Sequence, residues 1–110
     1  IIAFDACLMS MLEVAEITKR YATIQISSQE VEPGPGWQYS EALAPFTFGA
    51  PDKYALATHI VNAFAKAYKP HGNHPGFVDY TQSALDLELI DEVEKNVDKL
   101  AQVLVNALES

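Results

Sequence analysis

Cysteine is nearly absent: Cys7 is the only thiol among 110 residues. An internal disulfide is therefore excluded, and nothing in the fold depends on an oxidising compartment. Basic residues are also scarce, with 7 Lys and Arg against 15 Asp and Glu and a net charge of −8. They form no patch, so nucleic acid is not an expected partner. No apolar run approaches the ~20 residues of a membrane span, and no membrane partner is expected either. Disorder is excluded in turn, because 49% of the residues are hydrophobic and only 20% charged. A chain of this length holds one domain at most, with room for a core.

The informative end is the first one. Ile1-Ile2-Ala3-Phe4 is a short apolar run that ends in Asp5, with Cys7 two residues on. Leu8, Met11, Leu12 and Ala15 then fall at i, i+3, i+4 and i+7, so the spacing predicts a strand over 1–6 and a helix over 8–20. Cys7 would stand in the first helical turn, where free amide groups and the helix dipole favour thiolate over thiol. A free cysteine is more commonly a buried small hydrophobe, and both readings stand on these residues alone. A core strand at residue 1 is an unusual beginning, so Ile1 is expected to be a cut through a larger domain.

Beyond Arg20 the pattern predicts a strand over 22–28, with Ile24 and Ile26 on one face and Thr23 and Gln25 on the other. A loop from Ser28 to Asp52 collects Pro, Gly and aromatic residues, and Trp37, Tyr39, Phe46 and Phe48 mark it as packed. A helix is expected over 51–69 with Pro51 in its first turn. Its stripe is Ala57, Ile60, Val61, Phe64 and Tyr68. The turn cluster 69–76 precedes a strand over 78–86. Asp86 is then a candidate cap for a last helix with Leu89, Ile90, Val93, Val97, Leu100 and Leu104 on one face. This alternation indicates an α/β sandwich with a largely parallel sheet.

Three stretches carry a resemblance. Phe4-Asp5-Ala6-Cys7-Leu8-Met9-Ser10-Met11-Leu12-Glu13-Val14-Ala15 resembles the nucleophile segment of the clostripain family, cysteine peptidases with a caspase-like fold. Ser28-Gln29-Glu30-Val31-Glu32-Pro33-Gly34-Pro35-Gly36-Trp37-Gln38-Tyr39 is similar to that family's S-x-E-x-x-PGxGW-x-Y stretch. Thr81-Gln82-Ser83-Ala84-Leu85-Asp86-Leu87 is similar to its later T-x-S-A-x-D-L strand. The resemblance implies that residues 1–110 are the C-terminal portion of a single caspase-like peptidase domain.

It also implies roles. Cys7 would be the nucleophile, with its own backbone N–H as one oxyanion donor. The general base would be a His upstream of the Cys, carried by the N-terminal part of the same domain that this chain lacks. Asp5 would line the base of the S1 pocket and bind a basic P1 side chain; strand alternation puts it on the same side as Cys7. Its bland alternative is a helix cap. Ser28, Gln29 and Glu30, at the end of the second strand, would bind substrate as an extended partner. Trp37 would be a pocket wall, or equally a core anchor. Some relatives carry an acid between the two glycines, where this chain has Pro35; Glu30 or Glu32 could compensate.

The expected substrate is thus a peptide or protein cleaved after Arg or Lys, and the family implies a secreted or cell-envelope location. Calcium dependence is known in the family, yet no segment here has an EF-hand-like spacing, and no cofactor or metal site is expected from the residues. His59 reads as a surface or half-buried helix residue, and His71 and His74 as a solvated turn. The rivals are a non-catalytic caspase-like binding or scaffold domain, and an unrelated α/β domain whose cysteine is structural.

Overall fold

The computed structural model describes residues 1–110, and in it a three-stranded sheet is ordered β1-β2-β3. These strands are Ile2–Ala3, Ile24–Ser27 and Ser83–Asp86, all shorter than the sequence suggested. β1 and β2 are parallel, with Ile2 opposite Gln25 and Ala3 opposite Ile26. β3 runs antiparallel to β2, with Ser83 opposite Ser27 and Asp86 opposite Ile24. The α/β class is as expected, with a mixed sheet.

The reason for the antiparallel strand lies in the long connection after β2. It contains a short helix α2 (Tyr39–Ala42) and a 3₁₀ turn at Ala44–Phe48, and it returns the chain to the N-terminal end of β2. There Lys53 Nζ donates to Thr23 Oγ1 at 3.1 Å. Helix α3 (Lys53–Tyr68) then climbs alongside β2, so the next strand must come back down. Asp52 starts α3 by accepting from the N–H groups of Tyr54 and Ala55 at 3.1 and 2.9 Å, and Pro51 lies outside the helix.

One core forms where α3 covers the sheet. Leu56, Ala57, Ile60, Phe64 and Tyr68 pack on Ile24 and Ile26, joined by Trp37 and Ala42. The opposite face is polar but equally buried. Gln25 lies beneath α1 (Leu12–Thr18), accepting from Thr18 Oγ1 at 2.6 Å and donating to Met9 O at 2.9 Å and Ser27 Oγ at 3.0 Å. Buried amides of this kind are kept only where every group finds a partner.

The last helix, α4 (Ile90–Glu109), is the outlier. Asp86 caps the 3₁₀ turn Leu87–Leu89 that leads into it rather than α4 itself. Ile90 packs with Ala15 and Leu87, but Val93, Val97, Leu100, Leu104 and Leu108 on its apolar stripe all face outward. Lys19 ties its first turns to α1 through Asp91 at 2.6 Å and Glu94 at 3.4 Å. The helix thus carries an apolar face with no partner among residues 1–110.

Candidate active site

The site lies at the C-terminal ends of β1 and β2, the end at which open α/β sheets bind ligands. β1 pairing runs one residue past the strand, with the Phe4 N–H donating to Ile26 O at 2.9 Å. The chain then turns at Ala6–Leu8 instead of entering a helix. Here the structure corrects the sequence reading. Four residues, Leu8 to Met11, separate Cys7 from the first residue of α1 at Leu12. The dipole acts only within the terminal turn, so it does not reach Cys7.

Backbone bonds define the turn instead. The Leu8 N–H donates to Glu30 O at 3.1 Å and the Ser10 N–H to Ser28 O at 3.0 Å. Leu8 adopts a left-handed φ of 60°, costing about 1–2 kcal/mol for a residue with a Cβ. Cys7, next to it, is exposed at the tip of the turn. Sγ accepts the backbone N–H of Glu32 at 3.2 Å.

Asp5 is held by several donors. Its Oδ2 accepts the Trp37 N–H at 3.4 Å and the Tyr39 hydroxyl, and the Glu32 carboxyl lies near enough to influence its ionisation. Burial raises the Asp5 carboxyl, but Tyr39, Glu32 and the Trp37 N–H outweigh it, and the group ends below its ordinary value. Glu32 goes the other way. Burial and the Asp5 carboxyl push it up to about 7, with the Trp37 indole N–H opposing. Two adjoining carboxyls cannot both ionise without a cation, which separates their values. Tyr39 is raised by its bond to Asp5.

The loop closes tightly over this pair. Gly36 has φ +63°, and a Cβ there would lie 2.9 Å from Asp5 Oδ1. Only glycine combines that backbone with so close an approach. The Tyr68 hydroxyl donates to Gly36 O at 2.6 Å, anchoring the loop to the end of α3. Asp5 also borders a cleft of about 310 Å³ whose walls include Ala3, Trp37, Tyr39, Phe46 and Ile60. One carboxylate in an apolar cleft suits a cation on an aliphatic stem. Trp37 is 8% exposed, so its indole both anchors the core and forms this wall.

Ser28 is fully buried and is a brace. Its Oγ donates to Glu30 O at 2.9 Å, accepts the Glu30 N–H at 3.1 Å, and meets Thr81 Oγ1 at 3.1 Å. The Gln29 N–H donates to Thr81 Oγ1 at 3.0 Å, while the Gln29 and Glu30 side chains face outward. The main chain of 28–30 is therefore largely engaged with Leu8, Ser10 and Thr81. Sequence reasoning did not assign Tyr39, Thr81 and Gln82 to the site, and left Glu32 as a substitute acid only. The family-like T-x-S and W-x-Y spacings were the available signal for Thr81 and Tyr39.

None of the histidines bonds Cys7. His59 Nε2 donates to Glu41 O at 2.7 Å, and His74 Nε2 pairs with the Gln38 amide at 2.7 Å. His71 lies exposed in the turn after α3. One trio could be considered for a metal: Glu16, Asp91 and Glu94 bring carboxylate oxygens within 4.8 Å of one another. The Lys19 ammonium already bonds all three, so the trio does not fit a calcium ion.

The geometry is that of an α/β domain with a solvent-facing cysteine where a parallel strand pair ends. The clostripain family model matches residues 1–110, and the chain belongs to that family. A solved structure, a cysteine protease of B. fragilis, is similar at 25% identity with a TM-score of 0.59. The similarity covers 83% of this chain and 38% of that one, so the chain spans well under half of that protease. No protein of curated function matches.

Proposed function

We propose that residues 1–110 carry the nucleophile of a cysteine endopeptidase that cleaves after arginine or lysine. The observation that carries the reading is the double attachment of the loop after β2, through the Glu32 N–H to Cys7 Sγ and through the Trp37 N–H and Tyr39 hydroxyl to Asp5. A substrate whose basic side chain reaches Asp5 thereby brings its carbonyl toward the thiol. The sulfur attacks the carbonyl carbon, the Cys7 N–H takes up developing negative charge, and the amine departs with a proton. Water then releases the acyl group. The base would be a histidine from the N-terminal part of the domain, and the bare face of α4 fits packing against further chain. A secreted or cell-envelope location follows from the family resemblance alone.

Selectivity would come from Asp5, because a guanidinium matches a carboxylate bidentately. Gln29, Glu30 and Trp37 would flank the peptide, with Ser28 holding their backbone. The test is a P1 scan on the intact enzyme, wild type and Asp5→Asn. A basic preference lost in the variant supports the reading; no preference, or one unchanged, contradicts it. The second reading is a non-catalytic binding domain, favoured by the lack of any histidine bonded to Cys7. It requires that the intact protein show no turnover dependent on Cys7.

A further inference from the structure

The acid pair contains more than one P1 carboxylate needs. Asp5 and Glu32 converge on Trp37, Asp5 on its backbone N–H and Glu32 on its indole, yet every ion pair in the chain is made by Lys19, Arg20 or Lys66, none with either acid. Glu32 Oε1 accepts the Trp37 indole N–H at 3.3 Å, while Oε2 is buried with no donor if both groups are carboxylates. A proton shared with the Asp5 carboxyl would supply that donor. We propose that Glu32 is the second carboxyl of the P1 site, sharing one proton with Asp5 in the free enzyme and releasing it when a guanidinium or ammonium group enters. This inference rests on the reading of Asp5 as the P1 acid.

The charge balance is straightforward. Free, the pair carries one negative charge and one proton. The proton leaves to solvent as the cation arrives, and two carboxylates then face one positive group. A guanidinium has five donors and can serve both acids, whereas the proton serves only one bond between them. The surroundings add no competing cation. Asp5 and Cys7 face Glu32 from the segment after β1, Trp37 and Tyr39 from the loop, and Tyr68 from α3. From the segment before β3, Gln82 reaches in. With its amide nitrogen turned inward it donates to Glu32 Oε1 at 3.2 Å and its oxygen accepts from the Trp37 indole at 3.2 Å. Burial and the Asp5 carboxyl place the titration of Glu32 at about 7, within the working range of a thiol enzyme.

Proton displacement makes recognition of a basic P1 residue depend on pH, whereas an uncharged P1 residue is unaffected. The ratio of kcat/KM for Arg over citrulline substrates cancels the ionisations of nucleophile and base. On the intact enzyme it is expected to fall by about tenfold per pH unit below 7, and to level off above 8. Glu32→Gln should flatten it. A second measurement needs no variant: benzamidine binding is followed calorimetrically at pH 6 in buffers of different ionisation enthalpy. Release of close to one proton is expected at pH 6 and close to none at pH 8.5. A basic preference that is lost in Asp5→Asn but shows a pH-independent ratio and no proton release would overturn this inference alone. Absence of any basic preference, unchanged by Asp5→Asn, would overturn the P1 reading and this inference with it.

Discussion

The backbone N–H of Glu32 lies 3.2 Å from Sγ of Cys7 and donates to it, so the loop after β2 is tied to the thiol before any substrate arrives. The same loop reaches Asp5 through Trp37 and Tyr39. The thiol and the carboxylate are therefore bonded by one segment, and disturbing that segment should act on both.

Gly36→Ala is the sharpest disturbance. The new Cβ would fall 2.9 Å from Asp5 Oδ1 on a backbone with φ +63°. Asp5 must shift, and the left-handed backbone costs a further ~1–2 kcal/mol. We expect kcat/KM for Arg substrates to fall at least about tenfold and that for citrulline substrates much less. Equal losses on both would separate the loop from P1 recognition.

Gln25 gives a test on the other face of the sheet. Gln25→Leu strands the Met9 carbonyl and takes the amide donor from the Ser27 hydroxyl, whereas the Thr18 hydroxyl keeps the Val14 and Ala15 carbonyls as acceptors. Orphaned buried polar groups cost about 1–3 kcal/mol each before relaxation. The expected outcome is a lower denaturant midpoint together with slower alkylation of Cys7, because Met9 follows it in the same turn. An unchanged midpoint would contradict the network.

Glu32 should also leave a signature in stability. The folded chain binds its proton up to about pH 7, whereas the unfolded carboxyl loses it near 4.5. Between those values the folded state holds more protons, so its stability falls as pH rises. Asp5, shifted down, contributes oppositely, gaining stability above its ordinary 3.8 and losing it as pH falls. Glu32→Gln should therefore melt higher than wild type at pH 8, with the gap narrowing toward pH 5. A gap that widens at low pH would contradict the assignment.

Much of this was legible in the sequence, and the misses have physical causes. Apolar periodicity located α3, whose stripe is buried on the sheet, and α4, whose stripe faces outward. The same periodicity at Leu8, Met11 and Leu12 overextended α1, since hydrogen bonds from Leu8 and Ser10 to Glu30 and Ser28 hold that segment in a turn. Such bonds connect residues about twenty apart and leave no local pattern. Pairing of Glu32 with Asp5 was hidden for the same reason. The buried amide of Gln25 was equally invisible, because alternation assigned it a face but not the helix that covers it. Trp37 could be read as wall or anchor, and the structure gives it both positions.

The site's isolation gives a further expectation. Residues 1–110 present Cys7 without a bonded histidine, and removing the base from such an enzyme costs several orders of magnitude. The purified chain should not turn over peptide amides. Turnover that disappears in Cys7→Ala would show that a base is present within these residues.

The most direct measurement of the central claim is covalent. The intact enzyme is treated with an arginyl chloromethyl ketone and its peptides are mapped by mass spectrometry. One adduct is expected, on Cys7, forming at least about tenfold more slowly in Asp5→Asn as the cation loses one of its two carboxylates. No adduct should form in Cys7→Ala, and peptidase turnover should vanish with it. An adduct elsewhere, or turnover that survives Cys7→Ala, would contradict the assignment of Cys7 as nucleophile.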